Sequence, residues 1–150
     1  MSPHIFEKQL TAVFEGESDL IANMANMAAF LYHELADVNW VGFYLKKGND
    51  LVLGPFQGKV ACVRIAVGKG VCGTAARDKK TTVIADVHKF DGHIACDSAS
   101  NSEIVIPVIF NNKLIAVFDV DSPLYNRFNE SDKRLLENLV DIFIKNTSFE

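Results

Sequence analysis

IVIPVIFNNKLIAVFDV, residues 104–120, holds two strongly apolar runs separated by Asn111-Asn112. Residues 104–110 and 114–120 are rich in β-branched and aromatic side chains. An Asn pair between such runs is a hairpin signal. Pro107 lacks an N–H and marks an edge or bulge position. If Asn111-Asn112 alone forms the loop, Glu103 faces Val120. A three-residue loop, or a bulge near Pro107, brings Glu103 opposite Asp121, and this shifted register is the expectation adopted.

On the N-terminal side, residues 38–45 (VNWVGFYL) read as a strand, 46–50 as a turn and 51–54 as a second strand. A third short strand is expected near 63–66. Gly68 and Gly70 lead into a short helix over 71–78, and 81–84 is a fourth strand. Residues 85–101 carry small and polar side chains with little apolar periodicity, which predicts a long loop. A helix over 3–14 opens the chain. Ser18 can cap a second helix running to Asp37, with Leu20, Met24, Met27, Ala28, Leu31 and Leu35 as its apolar stripe. Met24 and Met27 are read as core filler. Residues 131–145 close the chain as a helix whose apolar face is Leu135, Leu136, Leu139, Val140, Phe143 and Ile144. Hairpin-joined strands between helical ends predict an α+β fold, with helices on one face of a largely antiparallel sheet.

The chain has 150 residues, 49% apolar and 23% charged, which suits one globular domain over 1–150. A net charge of −4 without a basic run argues against nucleic acid as a partner. There is no 18-residue apolar segment, hence no expected membrane span. MSPHIFEKQL does not read as a signal peptide. A cytoplasmic location follows as an expectation, where thiols stay reduced.

Three cysteines then suggest thiol chemistry. Cys96 lies in the polar stretch GHIACDSASNS (92–102), among the small neighbours Ala95, Ser98 and Ala99, and is the best nucleophile candidate. Cys62 lies at the start of a strand. Cys72 lies in the first turn of a short helix, where the helix dipole would favour a thiolate. His93 stands three residues before Cys96, as a base for it or as a solvated side chain. On spacing alone, incidental buried thiols are an equal reading. Asp119 and Asp121 share a strand face behind Ile115 and Val117, at the mouth of a pocket or as caps of a turn. With Glu103 they would form a carboxylate cluster that raises at least one pKa and could bind an ammonium. Trp40, with Phe43 and Tyr44 nearby, is a core residue or the apolar wall of a small-molecule site. No CxxC or HxxxH pair supports a metal. GKGVCG (68–73) lacks the GxxxxGK[ST] pattern and reads as turn chemistry.

Taken together, NWVGFYL (39–45), LVLGPFQGKVAC (51–62), GKGVCGTAA (68–76), GHIACDSASNSEIVIPV (92–108) and FDVDSP (118–123) resemble the free methionine-(R)-sulfoxide reductases, a family of stand-alone GAF domains. FNESDKRLLENL (128–139) fits GAF domains generally. The resemblance implies a GAF-like six-stranded antiparallel sheet flanked by N- and C-terminal helices. It also implies roles: Cys96 as catalytic cysteine, Cys62 as principal resolving cysteine and Cys72 as the auxiliary third. Glu103, Asp119 and Asp121 become the acidic residues around the substrate, with Glu103 or Asp121 as proton donor. Trp40 becomes the wall for the methyl end of the substrate, with Tyr44 and Ala95 beside it. No bound cofactor is implied. Thioredoxin is the expected external reductant, supplied by NADPH through thioredoxin reductase. The competing readings are a GAF domain that senses a cyclic nucleotide or other small molecule without catalysis, and a structural module whose terminal helices pair with a second copy.

Overall fold

The computed structural model describes residues 2–92 and 99–150. Among the described residues, four α-helices and six strands follow the order α1 (Pro3–Phe14), α2 (Leu20–Glu34), β1 (Trp40–Lys47), β2 (Asp50–Gly58), β3 (Arg64–Ala66), α3 (Gly70–Asp78), β4 (Thr82–Ile84), β5 (Ser102–Phe110), β6 (Lys113–Ser122) and α4 (Glu130–Lys145). The strands form one antiparallel sheet in the order β3-β2-β1-β6-β5-β4.

The hairpin takes the shifted register. Asn111 and Asn112 both have positive φ, at 51° and 64°, the geometry of a tight two-residue turn. Pairing runs Phe110 to Lys113 and Ile109 to Leu114, then Val108 to Ala116. Ile115 is the extra residue of a bulge, and beyond it Glu103 stands opposite Asp121. The bulge also corrects one expectation, because Ile115 packs with the core on the other face from Val117. Pro107 is tolerated because β4 pairs only with residues 103–105, leaving that side of β5 without a strand at 107.

Helices cover both faces, not one. α1, α2 and α4 pack on the face carrying Val41, Phe43, Ile104, Ile106, Phe118 and Val120. α3 packs on the other, through Val71, Cys72, Ala75 and Ala76 against Trp40, Tyr44, Val105 and Val117. Two helix and strand bounds also move. Asp19, not Ser18, caps α2, its side chain accepting from the Ala22 amide at 2.9 Å, and the helix ends at Glu34. β2 continues past Gly54 to Gly58, because Gly54-Pro55 is absorbed as a bulge against β1 and does not end the strand. That extension places Phe56 beside Trp40. No described helix is long and apolar enough to cross a membrane.

Candidate active site

The sheet register gathers the site on the α3 face. Asp121 lies between Trp40 of β1 and Glu103 of β5, and Asp119 between Gly42 and Val105. Paired residues of neighbouring strands share a face, so Trp40, Gly42, Tyr44, Glu103, Asp119 and Asp121 all face α3. Ligand atoms of Cys72, Glu103 and Asp119 lie within 4.8 Å of one another. The Cys72 thiol is 3.8 Å from Glu103 Oε2. Glu103 and Asp119 are only 7% and 5% exposed, and among the described residues no salt bridge reaches either. Asp119 Oδ1 is buried without a hydrogen-bond partner among them.

Burial, with Asp121 and Glu103 close by, holds the Asp119 carboxyl well above the usual carboxylate range. Crowding with two further carboxyl groups in a water-poor site leaves Asp119 as its neutral acid. Burial and the same acids, Asp119 foremost, push the Cys72 thiol up as well. This reverses the expectation that the start of α3 favours a thiolate. The dipole of a nine-residue helix is outweighed by desolvation and three acids. Burial, then Asp119, likewise raises the Tyr44 phenol well above its ordinary value.

Trp40 forms one wall. Its ring stacks on Phe56 at 5.2 Å and on Tyr44 at 5.9 Å, and its Nε1 donates to the Lys59 carbonyl at 3.1 Å. Tyr44 Oη donates to the Cys62 carbonyl at 2.9 Å, tying the cysteine segment to the same wall. Cys62 is disulfide-bonded and half-buried, while Cys72 is a free, buried thiol. A methyl group on Gly42 would stand 2.3 Å from Phe56 Cβ and 2.8 Å from the Trp40 ring. Gly42→Ala is therefore expected to cost about 1–3 kcal/mol by overpacking. Urea unfolding gives the loss, and a red shift of the single tryptophan's emission reports the disturbed stack.

Asp121 Oδ2 accepts from Ser100 Oγ at 3.5 Å, and Ser100 Oγ accepts from Asn39 Nδ2 at 3.1 Å. The Val87 amide donates to the Asn101 carbonyl, and the Asn101 amide to that of Ser122. His88 Nε2 contacts Asn101 Oδ1 at 2.9 Å, so His88 serves this brace. Both flanks of the segment bearing Cys96 are thus tied to the acidic end of β6. Cys96, Ala95 and His93 themselves lie outside the described residues. Phe43 is not part of the site, since it packs in the opposite core against Phe118 and Phe143. Phe56 and Ser100 escaped sequence reading. Phe56 lay past a Gly-Pro pair read as the end of a strand. Ser100 was one polar residue among several in a loop.

The profile of the GAF domain family matches residues 17–143. The free methionine-R-sulfoxide reductase of Escherichia coli K12 is 53% identical over 133 residues, covering 89% of this chain and 81% of that protein. The fRMsr of Staphylococcus aureus, solved in complex with substrate, is 49% identical at a TM-score of 0.93, with 97% of this chain and 95% of that one aligned. The free methionine-R-sulfoxide reductase from Neisseria meningitidis, solved in complex with its substrate, is 42% identical at a TM-score of 0.92, covering 96% and 87%. Fold and site thus define a GAF domain with an acidic, aromatic-walled site, and the chain belongs to the free methionine-R-sulfoxide reductase family.

Proposed function

We propose that this protein reduces free L-methionine-R-sulfoxide to methionine in the cytoplasm, through a Cys96 sulfenic acid and a Cys62–Cys96 disulfide recycled by thioredoxin. The observation that carries the reading is the division of the cysteines: Cys62 is disulfide-bonded at the Tyr44 wall, while Cys72 stays a free thiol. A sensor or scaffold has no use for a disulfide at its ligand wall.

The Cys96 thiolate attacks the sulfoxide sulfur. That attack forms an S–S bond. The S–O bond breaks as the oxygen takes a proton, and the oxygen then bonds to the Cys96 sulfur as the S–S bond breaks, so that methionine leaves with two electrons gained and Cys96 becomes a sulfenic acid. The proton comes from the Asp119–Glu103–Asp121 cluster. Asp119 is its reservoir, with Asp121 and Glu103 beside it to pass it on. The Cys62 thiol then condenses with the sulfenic acid, forming the disulfide and releasing water. A thioredoxin dithiol reduces that disulfide by exchange, with thioredoxin reductase and NADPH behind it. No bound cofactor enters the cycle. Trp40, with Tyr44 and Ala95, holds the methyl end, since sulfur packs favourably against aromatic rings. The ammonium of the free amino acid finds the buried carboxyls of Glu103 and Asp119, which no salt bridge reaches among the described residues. A peptide chain, which has no ammonium there, leaves them uncompensated and is rejected.

NADPH consumption with thioredoxin and thioredoxin reductase tests the reading directly. Free L-methionine-R-sulfoxide should be turned over, and its S epimer and an N-blocked R-sulfoxide should not. No turnover of any of the three by well-folded protein would favour the small-molecule sensing alternative.

A further inference from the structure

Residues 59–63, Lys-Val-Ala-Cys-Val, join β2 to β3, which begins at Arg64. The segment is held from beneath: Trp40 donates to the Lys59 carbonyl, Tyr44 to the Cys62 carbonyl, and the Leu53 amide to that of Val63. Ala61 and Cys62 pack inward on the Trp40 cluster. Val60 and Val63 turn outward, at 87% and 63% exposure the two most exposed large apolar side chains among the described residues. One exposed valine on a surface needs no explanation. Two on either side of a disulfide-bonded cysteine, on a segment whose Ala61 and Cys62 reach the core, form a small apolar patch beside that cysteine. Lys59 stands outside that patch as an exposed cation, while the Arg64 guanidinium pairs with Asp50 at 3.6 Å.

We propose that Val60 and Val63 are the docking surface for the protein dithiol that recycles the enzyme, and that its thiolate attacks Cys62 Sγ. The inference rests on the reductase reading above and specifies where that cycle meets its reductant. The disulfide identifies the occupant. Exchange requires an approaching sulfur in line with the bond, so a protein reductant must lay the rim of its own active site on the residues beside it. The apolar patch fits an apolar rim around a dithiol, and Lys59 favours a partner carrying an acidic group outside that rim. In the exchange, the reductant thiolate bonds to Cys62 Sγ and the former disulfide partner leaves as a thiolate. The reductant's second thiol then attacks its own sulfur and frees Cys62. Two electrons pass to the enzyme, the reductant ends as a disulfide, and solvent supplies the protons.

The test compares a protein with a small-molecule reductant. Val60→Asp/Val63→Asp should raise the Michaelis constant for thioredoxin about tenfold or more, since apolar contacts at an interface centre carry its binding. Dithiothreitol-driven turnover and the Michaelis constant for the sulfoxide should stay unchanged. Val60→Thr/Val63→Thr, equal in shape and less apolar, should fall between. Thioredoxin lacking its second cysteine should be trapped as a mixed disulfide on Cys62. An unchanged constant for thioredoxin, equal losses with both reductants, a trap on another cysteine, or an altered oligomeric state in place of the kinetic effect would each overturn the docking surface. Failure of the unsubstituted protein with dithiothreitol would instead overturn the reductase reading.

Discussion

Cys96→Ser is expected to lower turnover of free methionine-R-sulfoxide more than about 1,000-fold, the scale of losing a nucleophile. Cys62→Ser should behave differently: one methionine released per enzyme in a burst, then a stall as the Cys96 sulfenic acid. The contrast follows from the order of bonds. In the proposed cycle Cys96 supplies the electron pair that breaks the S–O bond, so without it nothing leaves. In the same proposal Cys62 acts only after methionine has gone, so its loss should spare the first turnover. Cys72 cannot replace Cys96, because burial among Asp119, Glu103 and Asp121 keeps its thiol protonated at neutral pH. Rapid-quench measurement of methionine, with dimedone labelling of sulfenic acid, separates the two variants. Turnover retained in Cys96→Ser would remove it from the nucleophile's role, and repeated turnover in Cys62→Ser with thioredoxin alone would remove Cys62 from resolution.

The register of one hairpin shows what could be read in advance. Residue counting alone puts Glu103 opposite Val120, on the wrong face. Pro107 and the carboxylate at each candidate position pointed to a shift of one residue, and Ile115 supplies it as a bulge. Period-2 placement of Asp119 and Asp121 then carried the acidic cluster correctly. What depended on packing between distant segments was less legible. Val71 to Ala76 has a modest apolar face, and nothing local tells which side of the sheet it will cover. The expected ionisation of Cys72 failed for the same reason. The helix start is visible in sequence, whereas the desolvation and the carboxylates brought by β5 and β6 are not. Gly54-Pro55 hid Phe56, since a bulge and a turn use the same residues.

Asp119→Asn should separate the two consequences of a buried, protonated carboxyl. The folded chain binds the Asp119 proton more tightly than the unfolded chain does. Above its ordinary value of 3.8, and up to the raised folded value, the folded state therefore carries the extra proton. Stability must fall there as pH rises, by up to about 1.4 kcal/mol per pH unit for one proton. Below that window both states are protonated and the slope from this group vanishes. Asparagine has nearly the shape of the neutral acid and no proton to lose. Urea unfolding between pH 5 and pH 8 should thus show a shallower decline in the variant, and a relative gain in stability toward pH 8. Equal slopes would mean that Asp119 is ionised in the folded protein. Catalysis should move the opposite way. A substrate ammonium arriving beside the cluster weakens the hold of Asp119 on its proton, as the sulfoxide oxygen becomes basic. Asparagine cannot give that proton, so the single-turnover rate should drop by about 10²–10⁴. The fall in the parent's rate at high pH, where Asp119 finally ionises, should disappear. A variant more stable at pH 8 and slower at every pH fits a proton kept at the expense of the fold for use in the reaction. An unchanged single-turnover rate would leave Asp119 as a structural acid and return the proton to Asp121 or Glu103.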